Sequence, residues 1–435
     1  MLNGRMKRIA WRTLKIASAS VLGILVLLFL VPLLFPGAVS KKIKTWANNS
    51  ITTELDFSGA RLSFFKHFPS LTLTLYDFSL KGSAPFEQDT LVSAAEISLG
   101  VDLGSVFSKT LRIDEIYLTK GNIHVLADGD GRPNYNVFQA SSSAKEPADS
   151  SGASMKIDRI QLEHCGIVYH DKSLGLYVRA REVNYLGKGD LASAKFDLYS
   201  KISITSLDLS YGEVPYIQSK KLNGDLITRI NTKSLNFSFE RNDLKINQLP
   251  VKLNGAFSFL RNGYEMDFRL SSGASTLEAL FSALPANYVS WMEHTDVKGA
   301  AEVNAALTGK YIARANKMPD FIFNIKVRDG MIAHAGSSSQ VKDLRLDFQT
   351  KLPQMNTEKF YVSLDSLFFT LDKGYFRSSI NMTGLYKPDI HARMEADIDM
   401  QKWGEAMGWD KFDLKGHFQS RLQADGRYVQ YAVNN

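Results

Sequence analysis

The residues best suited to chemistry in this chain stand apart from one another. His164-Cys165 sets an imidazole beside the single thiol. A nucleophile or a metal site built on that pair needs a further acid or ligand at fixed spacing, and none follows. Cys165 therefore reads as a small buried apolar residue. A single cysteine cannot close an intramolecular disulfide, so the redox compartment stays open. Ser142-Ser143-Ala144-Lys145 fits SxxK by letter but lies in a serine-rich stretch, where a nucleophile cannot be held in place. Asp128-Gly129-Asp130-Gly131 opens like a calcium loop, then puts Pro133 where the glycine belongs and Gln139 where the bidentate glutamate belongs. It reads as a hairpin turn. The eight histidines are scattered, and HExxH, GxSxG, P-loop and CxxC patterns are absent. The expectation is a protein without catalytic residues, metal or cofactor.

The charge is equally uneven. The 435 residues carry 52 basic and 45 acidic side chains, for a formal +7. Eight of the basic ones (Arg5, Lys7, Arg8, Arg12, Lys15, Lys41, Lys42 and Lys44) precede the first acidic residue, Glu54. Without them 44 basic residues face 45 acidic ones, so the body is neutral and lacks the clustered cations of a nucleic-acid binder. Between Ile16 and Ser40 no residue is charged. About 20 helical residues cross a hydrocarbon core, and this stretch exceeds the roughly 7–15 residues of a signal-peptide core. It reads as a retained anchor over residues 16–36. Five basic residues before it and three after predict a cytoplasmic tail, residues 1–15, and a body across the membrane. Ile43, Trp46, Ala47 and Ile51 recur at helical spacing beside Lys41, Lys42 and Lys44. They fit an amphipathic helix with Trp46 and the lysines at the headgroups, or a helix packed on the body.

The elements that must position any site are strands. Leu71, Leu73 and Leu75 alternate with Thr72 and Thr74; Phe237 and Phe239, and Phe321 through Val327, alternate likewise. Beyond residue 55 helical spacing is confined to Thr276–His294, broken or kinked by Pro285, and to Lys402–Trp409. Residues 139–155 form a serine-rich loop between a region at 37–138 and a larger one at 156–435. Two echoes run through the strands. Ile113-Asp114-Glu115-Ile116-Tyr117-Leu118 returns as Ile157-Asp158-Arg159-Ile160-Gln161-Leu162, and Asp296–Gly309 returns as Asp413–Gly426 after a helical stretch. Repeats of this kind predict an elongated sheet, and a strand so close to Asn435 suggests that the native chain continues.

These motifs, in this order, resemble the AsmA family of Gram-negative bacteria. The resemblance rests on the anchor and amphipathic helix, on Pro69-Ser70-Leu71-Thr72-Leu73, on Ile113–Leu118, and on the Asp128–Phe138 turn with Asn134 and Asn136. The helix and glycine-bounded strand of residues 277–309 complete it, whereas Thr53–Gly59 departs from the Thr-Gly usual after the helix. It implies an inner-membrane anchor, a periplasmic body, a long curled β-sheet with an apolar groove, and movement of phospholipid toward the outer membrane.

The residue pattern itself leaves two solutions. Two short helices cannot cover the apolar faces of about twenty strands, so the sheet either closes on a dry core or curls round a lumen. The repeats, the anchor and the resemblance favour the lumen, where burial of acyl chains is worth about 0.8 kcal/mol per methylene. Alternation then assigns Leu71, Leu73, Leu75, Ile116, Leu118, Ile160 and Leu162 to the groove and Thr72, Thr74, Tyr117 and Gln161 to the wet face. The competing reading is an envelope assembly factor that binds outer-membrane proteins or a secretion partner through an exposed sheet edge.

Overall fold

In a computed structural model of the chain, the described residues are 51–67, 70–101, 112–137, 154–190, 193–260, 262–285, 294–335, 337–409 and 413–428, with isolated positions at 11, 15, 18–20, 23 and 289. The protein is mainly β, with large sheets and few short helices. The chain divides into two compact units, Met1–Ala192 and Ser193–Asn435.

The first unit holds β1 (Leu55–Asp56), β2 (Gly59–His67), β3 (Ser70–Lys81), β4 (Thr90–Val101), β5 (Arg112–Ala127), β6 (Ser154–Asp171) and β7 (Leu176–Lys188). β1 and β2 share one side of β3; β3, β4 and β5 run antiparallel, β6 pairs parallel to β5, and β7 returns antiparallel. The first sequence echo explains the parallel pair. Ile116 lies opposite Ile160, Tyr117 opposite Gln161 and Leu118 opposite Leu162, so the two copies sit side by side in register. Repetition here widens the sheet by placing like residues beside like. Positive-φ residues cross the unit in a line, at Asp77 in β3, Lys120 in β5, His164 in β6 and Glu182 in β7. Irregularities of this kind bend strands and increase their twist, and a line of them bends neighbouring strands together.

The second unit is an antiparallel meander of β8 (Lys195–Tyr211), β9 (Val214–Asn231), β10 (Asn236–Ile246), β11 (Leu249–Leu260), β12 (Gly263–Ser271), β13 (Ser275–Thr276), β14 (Thr295–Tyr311), β15 (Asp320–His334), β16 (Val341–Leu352), β17 (Tyr361–Leu371), β18 (Gly374–Thr383), β19 (Asp389–Asp399) and β20 (His417–Arg427). Helix α1 (Leu277–Ala283) lies between β12 and β14, and α2 (Met400–Met407) between β19 and β20. In both places the flanking strands pair directly and the helix rides on the sheet between them. The second echo is thus a strand–helix–strand unit used twice.

Helix α1 starts where Thr276 accepts a hydrogen bond from the Ala279 N–H and stops at Leu284, whose backbone is extended. A residue preceding proline is pushed out of the helical region, so Pro285 breaks the helical stretch of Thr276–His294 where its position predicts. Asp399 caps α2 at the amides of Gln401 and Lys402, and left-handed Gly408 ends it. Leu277, Ala279 and Leu280 of α1 pack on Leu249, Val251, Val297, Ala301, Val303 and Val327. On the second copy Ala406 and Trp403 pack against Ile332, Val341, Phe369 and Ile398, and the Phe369 and Trp403 rings stack at 5.3 Å. Most of these strand residues lie toward the strand ends that carry the helices, with Val303 and Val327 near mid-strand, so both helices lie toward one rim of one face.

Candidate functional site

The seven groove candidates share one face of the first sheet. Paired positions in a sheet point the same way, and the register links Leu62, Leu73, Leu99, Ile116 and Ile160 in one row and Ala60, Leu75, Ile97, Leu118 and Leu162 in the next. Leu71 faces Val101 beside them. Leu71, Leu73, Leu75 and Leu118 are only 3–5% exposed. Ile116, Ile160 and Leu162 are half-buried.

The opposite face differs from expectation. Thr72 and Thr74 are completely or almost completely buried, and Tyr117 is buried too. Their polar atoms are matched to one another: Thr74 and Ser98 hydroxyls lie 2.9 Å apart, the Tyr117 hydroxyl donates to Glu115 at 2.8 Å, and Arg159 donates to the Tyr117 oxygen at 3.3 Å. Burial, followed by the bond to Glu115, raises the Tyr117 hydroxyl above its usual range. Gln161, also assigned to this face, is half-buried and donates to Glu163. Around β3, alternation separates apolar from polar correctly, but dry from wet incorrectly.

Cys165 is fully buried, its Sγ bonded to backbone carbonyls of Leu118 and Glu163, and burial raises its thiol above the ordinary range. Neighbouring His164 faces outward to Glu182 at 2.8 Å. The two side chains form no dyad. In the Asp128 turn one carboxylate oxygen accepts the amides of Asp130 and Arg132 and the other takes the Arg132 guanidinium; the Arg132 amide, followed by its guanidinium, holds the Asp128 carboxyl below its normal range. The loop consumes its own acid. Just beyond it Asn134, fully buried, accepts from the Leu126 N–H at 3.0 Å and donates to the His124 carbonyl at 2.7 Å, clamping the returning chain to β5. Among the described residues no group of His, Cys, Asp or Glu is arranged to hold a metal ion.

The larger apolar surface lies in the second unit. Val303, Ile325, Phe348, Leu364, Ile380 and Ala392 oppose one another across β14–β19, while Asn304, Asn324, Gln349, Ser363, Asn381 and His391 do so on the other face. Away from the helices the apolar face becomes aromatic. Phe257 stacks on Tyr264 at 5.6 Å and on Phe268 at 6.1 Å, and Tyr264 stacks on Tyr311 at 6.2 Å. These rings are half-buried, and neighbouring Phe259 is 43% exposed. Sequence reading found the alternation at Phe237 and Phe239 without assigning it a role; the signal was the same alternation in Phe257, Phe259, Met266 and Phe268.

A family model described as the AsmA family matches residues 10–306. The chain belongs to the AsmA family. Neither the curated proteins nor the solved structures yield a match. The AsmA match spans the first unit from residue 10, the aromatic surface apart from Tyr311, and the first strand–helix–strand copy through most of β14. Among the described residues no helix is long and apolar enough to cross a membrane. The anchor expected at residues 16–36 and the interfacial set Lys41, Lys42, Lys44 and Trp46 lie outside them, apart from a few isolated positions in the anchor.

Proposed function

We propose that this protein carries lipid along the apolar face of its sheets, anchored in the bacterial inner membrane with its body in the periplasm, and moves phospholipid toward the outer membrane without covalent chemistry. The observation that carries the reading is the second unit's apolar face, which runs across consecutive strands while, among the described residues, α1 and α2 lie toward one rim only. Large apolar side chains left half-exposed over such an area need an occupant. Acyl chains supply one, with headgroups left in solvent along the uncovered rim. Family membership and the neutral body support an envelope role.

The test is paired. Full-length protein is purified for native mass spectrometry of copurifying lipid, and photo-crosslinking residues are placed at Phe257 and Phe268 or, on the opposite face, at Ser258 and Asp267. Lipid captured from the first pair alone is the expected result; equal capture from both, or none from either, would sink the proposal. For orientation, an alkaline phosphatase fusion after residue 60 should be active, and an inactive one would reverse the topology.

A further inference from the structure

The two rims of the second unit differ in charge. An antiparallel meander sends alternate connections to opposite ends of its strands. The β8–β9, β10–β11, β15–β16 and β17–β18 turns therefore share a rim with α1 and α2, and the β9–β10, β11–β12, β14–β15, β16–β17 and β18–β19 connections form the other. On this second rim Lys233, Arg314, Lys317, Lys359 and Lys387 are exposed, and Glu358 is the only acidic residue among the described positions of those connections. None of the five cations has an acidic partner within ion-pair distance among the described residues. Several cations elsewhere in the unit are matched, as Lys326 is to Asp347 at 3.3 Å and Arg229 to Asp197 at 3.0 Å. The helix-bearing rim holds more acids than bases in its described connections, and Lys402 and Lys415 there are paired with Glu405 and Asp413.

The same basic loops expose large apolar side chains. Leu235 is 49% exposed, Leu385 45% and Tyr386 74%, with Met355 also exposed. Each stands within four residues of a rim cation. A basic residue beside a protruding apolar or tyrosine side chain, repeated from loop to loop, is the chemistry that binds an anionic lipid surface: the cation meets phosphate and the apolar group enters the interfacial layer. An acidic protein would satisfy the cations. It would leave apolar groups dispersed over separate loops without one continuous surface to fill, whereas a bilayer accepts them singly.

We propose that this rim is a membrane-docking edge, whose loops rest on an anionic bilayer. The inference is independent of whether lipid occupies the apolar face. Full-length protein reconstituted into phosphatidylcholine donor vesicles is mixed with labelled acceptor vesicles, either phosphatidylcholine alone or with added phosphatidylglycerol, and acceptor capture is read by co-sedimentation. Capture of the anionic acceptors, weakened by salt, is expected. Because each basic residue near such a surface contributes roughly a fivefold factor, Lys317→Glu with Lys359→Glu and Lys387→Glu should lower capture by at least about tenfold. Leu385→Ser with Tyr386→Ser should lower it severalfold at unchanged charge. Reversing Lys298, Lys373 and Lys415 near the helix-bearing rim should leave it within about twofold, and Phe257→Asp should retain capture while losing bound lipid. Protease patterns matching the parent show that each variant is folded. Equal capture of neutral vesicles, equal loss from both rims, or binding of an acidic protein probe without vesicle capture would each overturn the proposal.

Discussion

The two units use the same alternation to different ends. In the first, Leu71, Leu73 and Leu75 are nearly inaccessible and the threonines between them are buried as well, so β3 is packed on both sides. In the second, the apolar rows are buried where α1 and α2 lie and half-exposed beyond them, while the polar face carries solvent-exposed ladders such as Lys326–Asp347. A pattern that assigns faces therefore does not assign solvent. Around β3 the first unit has the character of a packed core, whereas the second leaves its aromatic rows half-exposed.

That contrast is broken most directly by burying a charge in each unit. Leu118 is 3% exposed, and Leu118→Asp puts a carboxylate into hydrocarbon with no cation to meet it. The cost should be several kcal/mol, comparable with the roughly 5–15 kcal/mol that holds a domain together. The first unit should lose protease resistance. Phe257→Asp, at a half-buried position, should leave the second unit folded by circular dichroism and deplete bound lipid. If both variants unfold, the second face is a dry core; if both fold, the first unit is as open as the second.

The next largest effect belongs to Asn134. Replacing it with Leu removes both side-chain bonds to β5 and strands the Leu126 N–H and the His124 carbonyl. At about 1–3 kcal/mol for each buried group left unsatisfied, thermal unfolding of the first unit should move to clearly lower temperature, with the second unit unchanged. Unfolding of both together would show that the two units are one cooperative body.

How much of this was legible beforehand depends on range. Periodicity is local: alternation placed the seven candidates on one face, and helical spacing found α1 and α2. The parallel pairing of β5 with β6 is not local; the echo at Ile113 and Ile157 signalled repetition, but nothing in it said that the copies would lie side by side. The line of positive-φ residues was invisible because Asp77, Lys120, His164 and Glu182 are not the glycines that usually mark such positions. Burial of Thr72 and Thr74 depends on partners, Ser98 among them, more than twenty residues away.

The duplicated strand–helix–strand unit sharpens the comparison at smaller cost. Gly299 and Gly416 occupy equivalent places and both have positive φ, 126° and 98°. A Cβ at Gly299 would come within 2.7 Å of the Gly330 backbone, whereas one at Gly416 meets nothing within 4 Å. Gly416→Ala should incur only the backbone strain of a residue forced into that region, about 1–3 kcal/mol. Gly299→Ala adds a clash with the adjoining strand and should be the more destabilising in chemical denaturation. Equal effects would mean that β14 can shift away from β15 freely.

The smallest difference separates the polar faces themselves. Lys326 and Asp347 are both more than 40% exposed on their side chains, so Lys326→Ala should change stability by no more than about 1 kcal/mol and less in high salt. Tyr117 makes a shorter and drier contact, and Tyr117→Phe leaves Glu115 and Arg159 to face each other at 3.6 Å without the bridging hydroxyl. Loss of a buried hydrogen bond to a charged group should cost about 1.5–3 kcal/mol. The pH dependence separates this from a general packing loss. The folded state raises the tyrosine pKa, so its contribution is complete below the ordinary value of 10.0 and is lost as pH climbs through the folded value. The parent protein should therefore lose stability in that alkaline window more steeply than Tyr117→Phe, and the two unfolding curves should converge there. Parallel curves across the window would show that Tyr117 acts by packing alone, and that the polar faces of the two units differ in burial without differing in electrostatics.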